Sequence, residues 1–486
     1  MSFPPTVEQQ AAIDLFESGK NVAIQAGAGT GKSSTLKMIA ESTHRRGRYH
    51  AFNKALVTDA TTYKPDTCPA TTIHSATFGA VGRQFSHRLN SSRMSSAEIA
   101  RRLHIGPMNL KVAGMTKVLQ PGQLAGYAMK AVAVFCQSAD PEPTVRHMPY
   151  IEGIDLPHKI TGDRTYDNNR AVAAALLPAM QKIWADAIDP NGSLRYNHAY
   201  YLKLWQLSGP RISADFILVD EAQDVSPVML SIIEQQNHAQ IVLVGDAQQS
   251  LYGFLGAVDA MSRLEGAFTT YLSQSFRFGP AVAEIANLVL ADIGAELRIK
   301  GLDSIDSTIG PIDRPDVILC RTNAHAVEQV LSAIDDNISV HLVGGGDEMV
   351  RFARGAQALQ AGERTDHPEL ACFDNWGEVR EYVEQDAQGG ELKLLVDLID
   401  KFGAAEIIAA LQSMPSEAKA ERVISTAHKS KGRAWSKVKL GTDFPEPGDR
   451  GTTSVDELRV LYVAVTRAQH RLDVTAVPYF MEAPPK

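Results

Sequence analysis

The stretch NVAIQAGAGTGKSSTL, residues 21–36, decides the fold. Val22, Ala23 and Ile24 read as a strand, the glycines at 27, 29 and 31 as a tight turn, and Lys32 as the start of a helix. Strand, glycine-rich turn and helix in that order make a P-loop. The glycines let backbone amides turn inward around phosphate oxygens, Lys32 adds a point charge at the β and γ phosphates, and Ser33 offers a hydroxyl to magnesium. The phosphate cradle is thus read as Ala26, Gly27, Ala28, Gly29, Thr30, Gly31, Lys32, Ser33 and Ser34, with Ala26 where a glycine is usual.

Working outward, ADFILVDEAQD (214–224) carries an apolar strand that delivers Asp220 and Glu221 at its C-terminal edge, where ligands of parallel sheets sit. Asp220 would hold magnesium together with Ser33, and Glu221 would polarise the attacking water. QIVLVGD (240–246) repeats the pattern, and a second set follows in PDVILCRTN (315–323), ISVHLVGG (338–345), ERVISTAH (421–428) and WSKVKLG (435–441). Strands alternating with helical segments predict an α/β protein with two parallel-sheet cores. VLYVAVTRAQHRLDV (460–474) reads as a further strand flanking a turn, interrupted by Thr466 and Arg467.

Between these sets the texture changes. SHRLNSSRMSSAEIARRL (86–103) is polar and helix-leaning, and ELKLLVDLIDKF (391–402) has helical periodicity. The expected organisation is a first core from 1–85 and 200–275, a helical insertion at 86–199, a second core from 276–345 and 421–486, and a reduced insertion at 346–420.

Composition sets bounds. The 486 residues carry a formal net charge of −8, so a polyanionic partner would have to meet a local basic groove. Cys68, Cys136, Cys320 and Cys372 fall at no zinc or redox spacing, as expected of reduced core thiols. The start MSFPPTVEQQ has no basic segment or long apolar core, and the most apolar run, AVAAALLPAM (171–180), is shorter than the roughly 20 residues of a membrane span. No membrane association is expected, and the expected location is the cytoplasm, with nucleoid association in a prokaryote or phage.

With DEAQD in place, the sequence resembles the superfamily 1A DNA helicases of the UvrD, Rep and PcrA type. AFNKAL (51–56) and NHAYYLKLWQL (197–207) make it look most like the F-box DNA helicase branch. The resemblance implies two RecA-like P-loop NTPase cores with mostly helical insertions, ATP and Mg2+ as cofactors, and 3′ to 5′ movement on single-stranded DNA. In PTVEQQAAI (5–13), Gln9 would read adenine, with Gln10 as the rival. AFNKAL and ATTIHSATF (70–78) would grip DNA through Asn53, Lys54, Thr72, His74 and Ser75.

LVGDAQQSLYGFLGA (243–257) implies that Gln249 senses the γ-phosphate or positions the water, and that Tyr252 and Phe254 are stacking faces for bases, with Leu255 where the family has arginine. YLSQSFRFGP (271–280) implies Phe276 on the adenine and Arg277 at the γ-phosphate. STAHKSKGRAW (425–435) implies Thr426, His428 and Lys431 facing DNA and Gly432 near the nucleotide, with Ala434 replacing the usual ribose-binding glutamate. Finally AVTRAQ implies that Arg467 is an arginine finger given by the second core to a nucleotide on the first; a partly buried arginine paired with Glu457 or Asp473 is the alternative.

The implied protein is an ATP-dependent DNA helicase or translocase of DNA repair, recombination or replication, with single-stranded DNA, single-strand/duplex junctions and a protein partner. The alternative is a DNA-stimulated ATPase subunit of a larger recombination or defence complex. At about 75 residues, the second insertion is short for an autonomous domain.

Overall fold

The computed structural model describes residues 4–51, 65–89, 94–112, 114–155, 166–251, 260–264, 266–385, 391–445 and 454–481. In chain order come β1 (Val22–Ala26), β2 (Gly47–Ala51), β3 (Ala70–Thr72), a hairpin of β4 (Met108–Val112) and β5 (Met115–Leu119), then β6 (Phe216–Val219), β7 (Gln240–Gly245) and β8 (Phe268–Leu272). The second half supplies β9 (Thr308–Ile309), β10 (Val317–Cys320), β11 (Val340–Leu342), β12 (Arg422–Thr426), β13 (Trp435–Leu440) and β14 (Ala468–Asp473). Two six-stranded sheets result, ordered β3-β2-β6-β7-β1-β8 and β11-β12-β10-β13-β14-β9. Every strand pairing within them is parallel.

Because a parallel sheet is covered on both faces, its strands are apolar throughout, and every residue of FILV in β6 and QIVLVG in β7 is buried. Alternation still divides the faces. Phe216 and Leu218 join Phe16, Leu36 and Ile39 under the helices Val7–Glu17 and Lys32–Glu41, whereas Ile217 and Val219 join the core that continues into the first insertion. The same apolar core reaches the second insertion through Phe352, Phe373 and Trp376. The insertions also touch directly: Lys117 pairs with Glu378 at 2.6 Å, Cys372 Sγ donates to the Glu152 carbonyl at 2.7 Å, and the Tyr382 hydroxyl meets the Glu152 carboxylate.

Two expectations change. The first insertion is not wholly helical: β4 and β5 pair antiparallel from Met108↔Leu119 to Val112↔Met115. And VLYVAV is not a strand. Val455–Val465 is a helix capped by the Ser454 hydroxyl on the Glu457 amide, and β14 begins only at Ala468. Residues 460–465 are buried on every side, so their apolar run has no polar face to reveal the helical period.

The helix Asp167–Ile188 extends beyond the apolar run read from sequence and is long and apolar enough to cross a membrane by length and composition. Its Val172, Leu176, Met180 and Ile183 are buried in the same core as Leu124, Val132 and Phe135 of the helix Pro121–Gln137, while Arg170 and Lys182 are exposed, the pattern of a core helix. All four cysteines are buried, and none is in a disulfide among the described residues.

Candidate nucleotide site between the two cores

The phosphate loop follows β1. Gly29 and Gly31 have φ of +75° and +80°, a region that glycine alone enters without strain, and Gly31 opens the helix Lys32–Glu41. Its helical amides therefore face the loop with no side chain capping them. Residues 272–277 lie across this loop. The Gly27 amide donates to the Leu272 carbonyl at 3.0 Å, the Phe276 amide to Gly29 at 2.8 Å, and Ser275 Oγ to Ala28 at 2.9 Å. A Cβ on Gly29 would lie 2.6 Å from Arg277 Cβ, so the close approach itself requires glycine.

β6 ends at the same place. Ser33 Oγ donates to Asp220 Oδ2 at 2.7 Å, and the Tyr49 hydroxyl donates to that oxygen at 2.5 Å. A hydroxyl and a carboxylate converging beside a phosphate loop form the hard oxygen donor set that suits magnesium. Burial, and next the Glu221 charge, push Asp220 above the usual carboxylate range. Glu221 lies 3.4 Å from Lys32 Nζ and accepts from Gln223 Nε2. Burial works to raise Glu221, but Lys32 and Lys431 outweigh it and hold the group below its ordinary value, ionised. Burial likewise works to lower Lys32, while Glu221, Asp246 and Asp220 overcome it and keep the ammonium charged. Glu221 also holds φ +53°, which costs a side-chain-bearing residue about 1–3 kcal/mol and is the kind of strain found at functional sites.

The second core closes this cluster. Arg277 Nη1 donates to the Thr466 carbonyl at 3.0 Å. Arg467, only 1% exposed, donates to the carbonyls of Val463 (2.9 Å) and Arg433 (3.2 Å) and to Gln249 Oε1 (2.9 Å). Glu457 is instead taken by Arg321, and Asp473 by Ile312, Thr475 and Lys439, so neither carboxylate pairs with Arg467. Burial, with the Arg277 charge second, lowers Arg467 to about 9. Two guanidiniums at one interface, Arg467 buried and Arg277 half-buried, with no ion pair to either among the described residues, are arranged for an anion.

Gln9 and Phe276 flank Gly31. A Cβ there would lie 3.4 Å from Gln9 Nε2 and 3.5 Å from the Phe276 ring, and that ring is 44% exposed, with a face available for stacking. The Gln9 amide is already engaged, accepting from the Thr6 amide (3.0 Å) and donating to Thr35 Oγ1 (3.2 Å), so reading adenine would require it to share those bonds. Gln10 points to solvent and bonds Asp14. Ala26 and Ala28 are buried, Thr30 donates to the Gly27 carbonyl, Ser34 is exposed, and Gly432 is exposed at φ +83°.

Among the residues read as DNA contacts, Ser75 is exposed and His74 half-buried, its basicity lowered by burial and by His198. Thr72 is buried and caps the helix Ile73–Ala80 by accepting the Ser75 amide. Thr426 is buried and accepts from the Lys429 amide, while His428 is half-buried, lowered by burial and by Arg321. Lys431 departs from its reading: its ammonium lies between the cores, 2.6 Å from Asp224 Oδ2 and 2.6 Å from the Gln249 carbonyl. The acid that captures it stands 207 positions away, a pairing that no local pattern encodes. Asn53, Lys54, Tyr252, Phe254 and Leu255 lie outside the described residues. Tyr49, which orients Asp220, was not foreseen because GRYHA has no apolar run to mark β2.

The Lys431 tie sets a pH dependence. Burial raises Asp224 to about 6, with Lys431 pulling it back. Above the unfolded value the folded chain retains a proton that the unfolded chain has lost, so this group favours folding more at pH 5 than at pH 7. The ionised tie between the cores is lost over the same window. ATP turnover should therefore fall as pH drops through about 6 with no loss of far-UV circular dichroism, and Asp224→Asn should flatten that limb. A limb that persists in the variant would assign it to another group.

A P-loop at the C-terminal edge of one parallel sheet, closed by arginines from a second, defines a two-core P-loop NTPase. Residues 9–255 match the family described as AAA domain, and the chain belongs to that family. It is also 29% identical to F-box DNA helicase protein 1 of Schizosaccharomyces pombe (strain 972 / ATCC 24843), over 96% of this chain and 57% of that protein. F-box DNA helicase 1 of Gallus gallus is 29% identical over 96% of this chain and 48% of its own length. ATP-dependent DNA helicase UvrD2 of Mycobacterium tuberculosis (strain ATCC 25618 / H37Rv) is 32% identical over 17% of this chain and 14% of its own. The chain thus spans about half the length of the two F-box relatives. These likenesses bear out the resemblance to superfamily 1 helicases.

Proposed function

We propose that this protein is an ATP-dependent DNA helicase or translocase that moves 3′ to 5′ on single-stranded DNA and acts at single-strand/duplex junctions. Its setting would be DNA repair, recombination or replication, in the cytoplasm or on the nucleoid. The observation that supports this most is the pair of guanidiniums, Arg277 and Arg467, held at the core interface with no ion pair to a carboxylate among the described residues.

In this reading Lys32 and the loop amides orient the β and γ phosphates, and Phe276 stacks on the base. Magnesium, held by Ser33 and Asp220, would supply positive charge at the phosphate oxygens. Glu221 accepts the proton of the attacking water, and Gln249 positions that water. Arg277 and Arg467 stabilise negative charge that grows on the transferring phosphoryl group. Since only a closed interface brings both arginines to the loop, ATP favours closure and hydrolysis removes the preference. His74, Ser75, Thr426 and His428 would hold DNA on the two sides of that interface.

A second reading rests on the small second insertion, tied to the first by Lys117–Glu378 and Cys372–Glu152. A docked insertion suits an ATPase that remodels protein–DNA structures with a protein partner. Both readings are tested by ATP turnover with and without single-stranded DNA, and by unwinding of 3′-tailed, 5′-tailed and blunt duplexes. Stimulation with preference for the 3′ tail is expected. Stimulation without unwinding would favour the partner-dependent ATPase, and no stimulation would remove autonomous movement.

A further inference from the structure

Tyr462 lies in the helix Val455–Val465 of the second core and is 0% exposed. Its hydroxyl accepts from the Ala28 amide of the phosphate loop at 3.2 Å and donates to Asp246 Oδ2 at 3.0 Å. The amide can only donate, so the phenol oxygen must accept there, leaving its single proton for Asp246. That same carboxylate oxygen accepts from Gln249 Nε2 at 2.6 Å, and this turns Gln249 Oε1 toward Arg467 Nη2, 2.9 Å away. Were the Gln249 amide reversed, its NH2 group would face the guanidinium, donor against donor.

We propose that Tyr462 is a positioning residue that links the phosphate loop to the Arg467 finger through Asp246 and Gln249. This rests on the ATPase reading above. A phosphate oxygen bound by the loop would compete with the phenol for the Ala28 N–H, and a charged acceptor is the stronger of the two. The hydroxyl is then released from the phosphate loop but still donates to Asp246 at the end of β7, and therefore still fixes the orientation of Gln249. Phosphate at the loop is in this way felt by the second core without a large movement. In sequence Tyr462 is one more apolar residue of a buried run; its hydroxyl acquires a role only because the helix places it against a loop 434 positions away.

The test is Tyr462→Phe in the full chain, which keeps the ring and removes one oxygen. Loss of the competitor should tighten binding of a non-hydrolysable ATP analogue by about 2- to 10-fold, the span of one net hydrogen bond. The freed Gln249 should lower kcat by about 10-fold or more, since an interaction that orders the finger is removed. Asp246→Asn leaves the phenol on Ala28, weakens the later links and removes one of the charges that hold Lys32 protonated, so it should lower kcat without tightening the analogue. A purely structural hydroxyl would weaken binding and melting temperature together in Tyr462→Phe, and that result overturns the proposal. So would binding and kcat both equal to the parent's. If the parent itself neither binds the analogue nor hydrolyses ATP, the ATPase reading has failed and this inference falls with it, an outcome distinct from an active parent with an indifferent Tyr462→Phe.

Discussion

Glu221→Gln is expected to lower DNA-stimulated ATP turnover by about 10² to 10⁴ while leaving nucleotide affinity close to the parent's, the loss that follows removal of a general base. The substitution conserves volume and a carbonyl acceptor for Gln223, so the loop keeps its shape. What it removes is charge. Glu221 is the leading group that keeps Lys32 protonated against burial, and Asp246 and Asp220 remain to hold it so. Glu221 is also the leading charge that pushes Asp220 upward, so its neutralisation makes Asp220 easier to ionise. Magnesium requirement should consequently stay the same or soften, while turnover collapses. Phosphate release in steady state, read against fluorescent-nucleotide binding, separates the two. A variant that turns over ATP at the parent's rate would falsify the assignment of Glu221 as base.

The site was legible where chemistry is local. NVAIQAGAGTGKSSTL and ADFILVDEAQD each bring strand, turn and functional side chain in one run, and the structure sets Ser33 2.7 Å from Asp220. It was illegible where a residue works through a distant one: Tyr49, Lys431 and Tyr462 gain their partners only from tertiary packing. Other signals were present but weaker than the apolar pattern beside them. Ser454 and Glu457 stand at the spacing of a helix N-terminus just before VLYVAV, and the observed cap uses that serine. MNLKV and MTKVL alternate on either side of Gly114, which is the mark of a hairpin. GRYHA and ATT carry no such mark and become strands because β6 is there to pair with β2, and β2 with β3.

Arg467→Ala is expected to cost about 10³ to 10⁵ in turnover, as for arginine fingers generally. At 1.36 kcal/mol per decade that is roughly 4 to 7 kcal/mol of transition-state stabilisation. Nucleotide binding should survive, because Lys32 and the loop amides belong to the first core and stay in place. The side chain is wholly buried, so truncation also leaves a void and removes the donor to Gln249 Oε1. Arg467→Lys controls for this: it restores charge and most of the volume but lacks the fork that spans Val463, Arg433 and Gln249. If charge alone mattered, lysine would recover most of the rate; if the planar fork matters, lysine should remain nearly as slow as alanine, and the latter is expected. Stability gives an independent reading. Arg467 is disfavoured as a cation by burial and by Arg277, so deleting it removes a like-charge repulsion that an anion would otherwise relieve. The alanine variant should thus lose part of the rise in melting temperature that ATP and magnesium produce in the parent. A variant with full turnover and an unchanged rise would return Arg467 to a purely architectural role in the core interface.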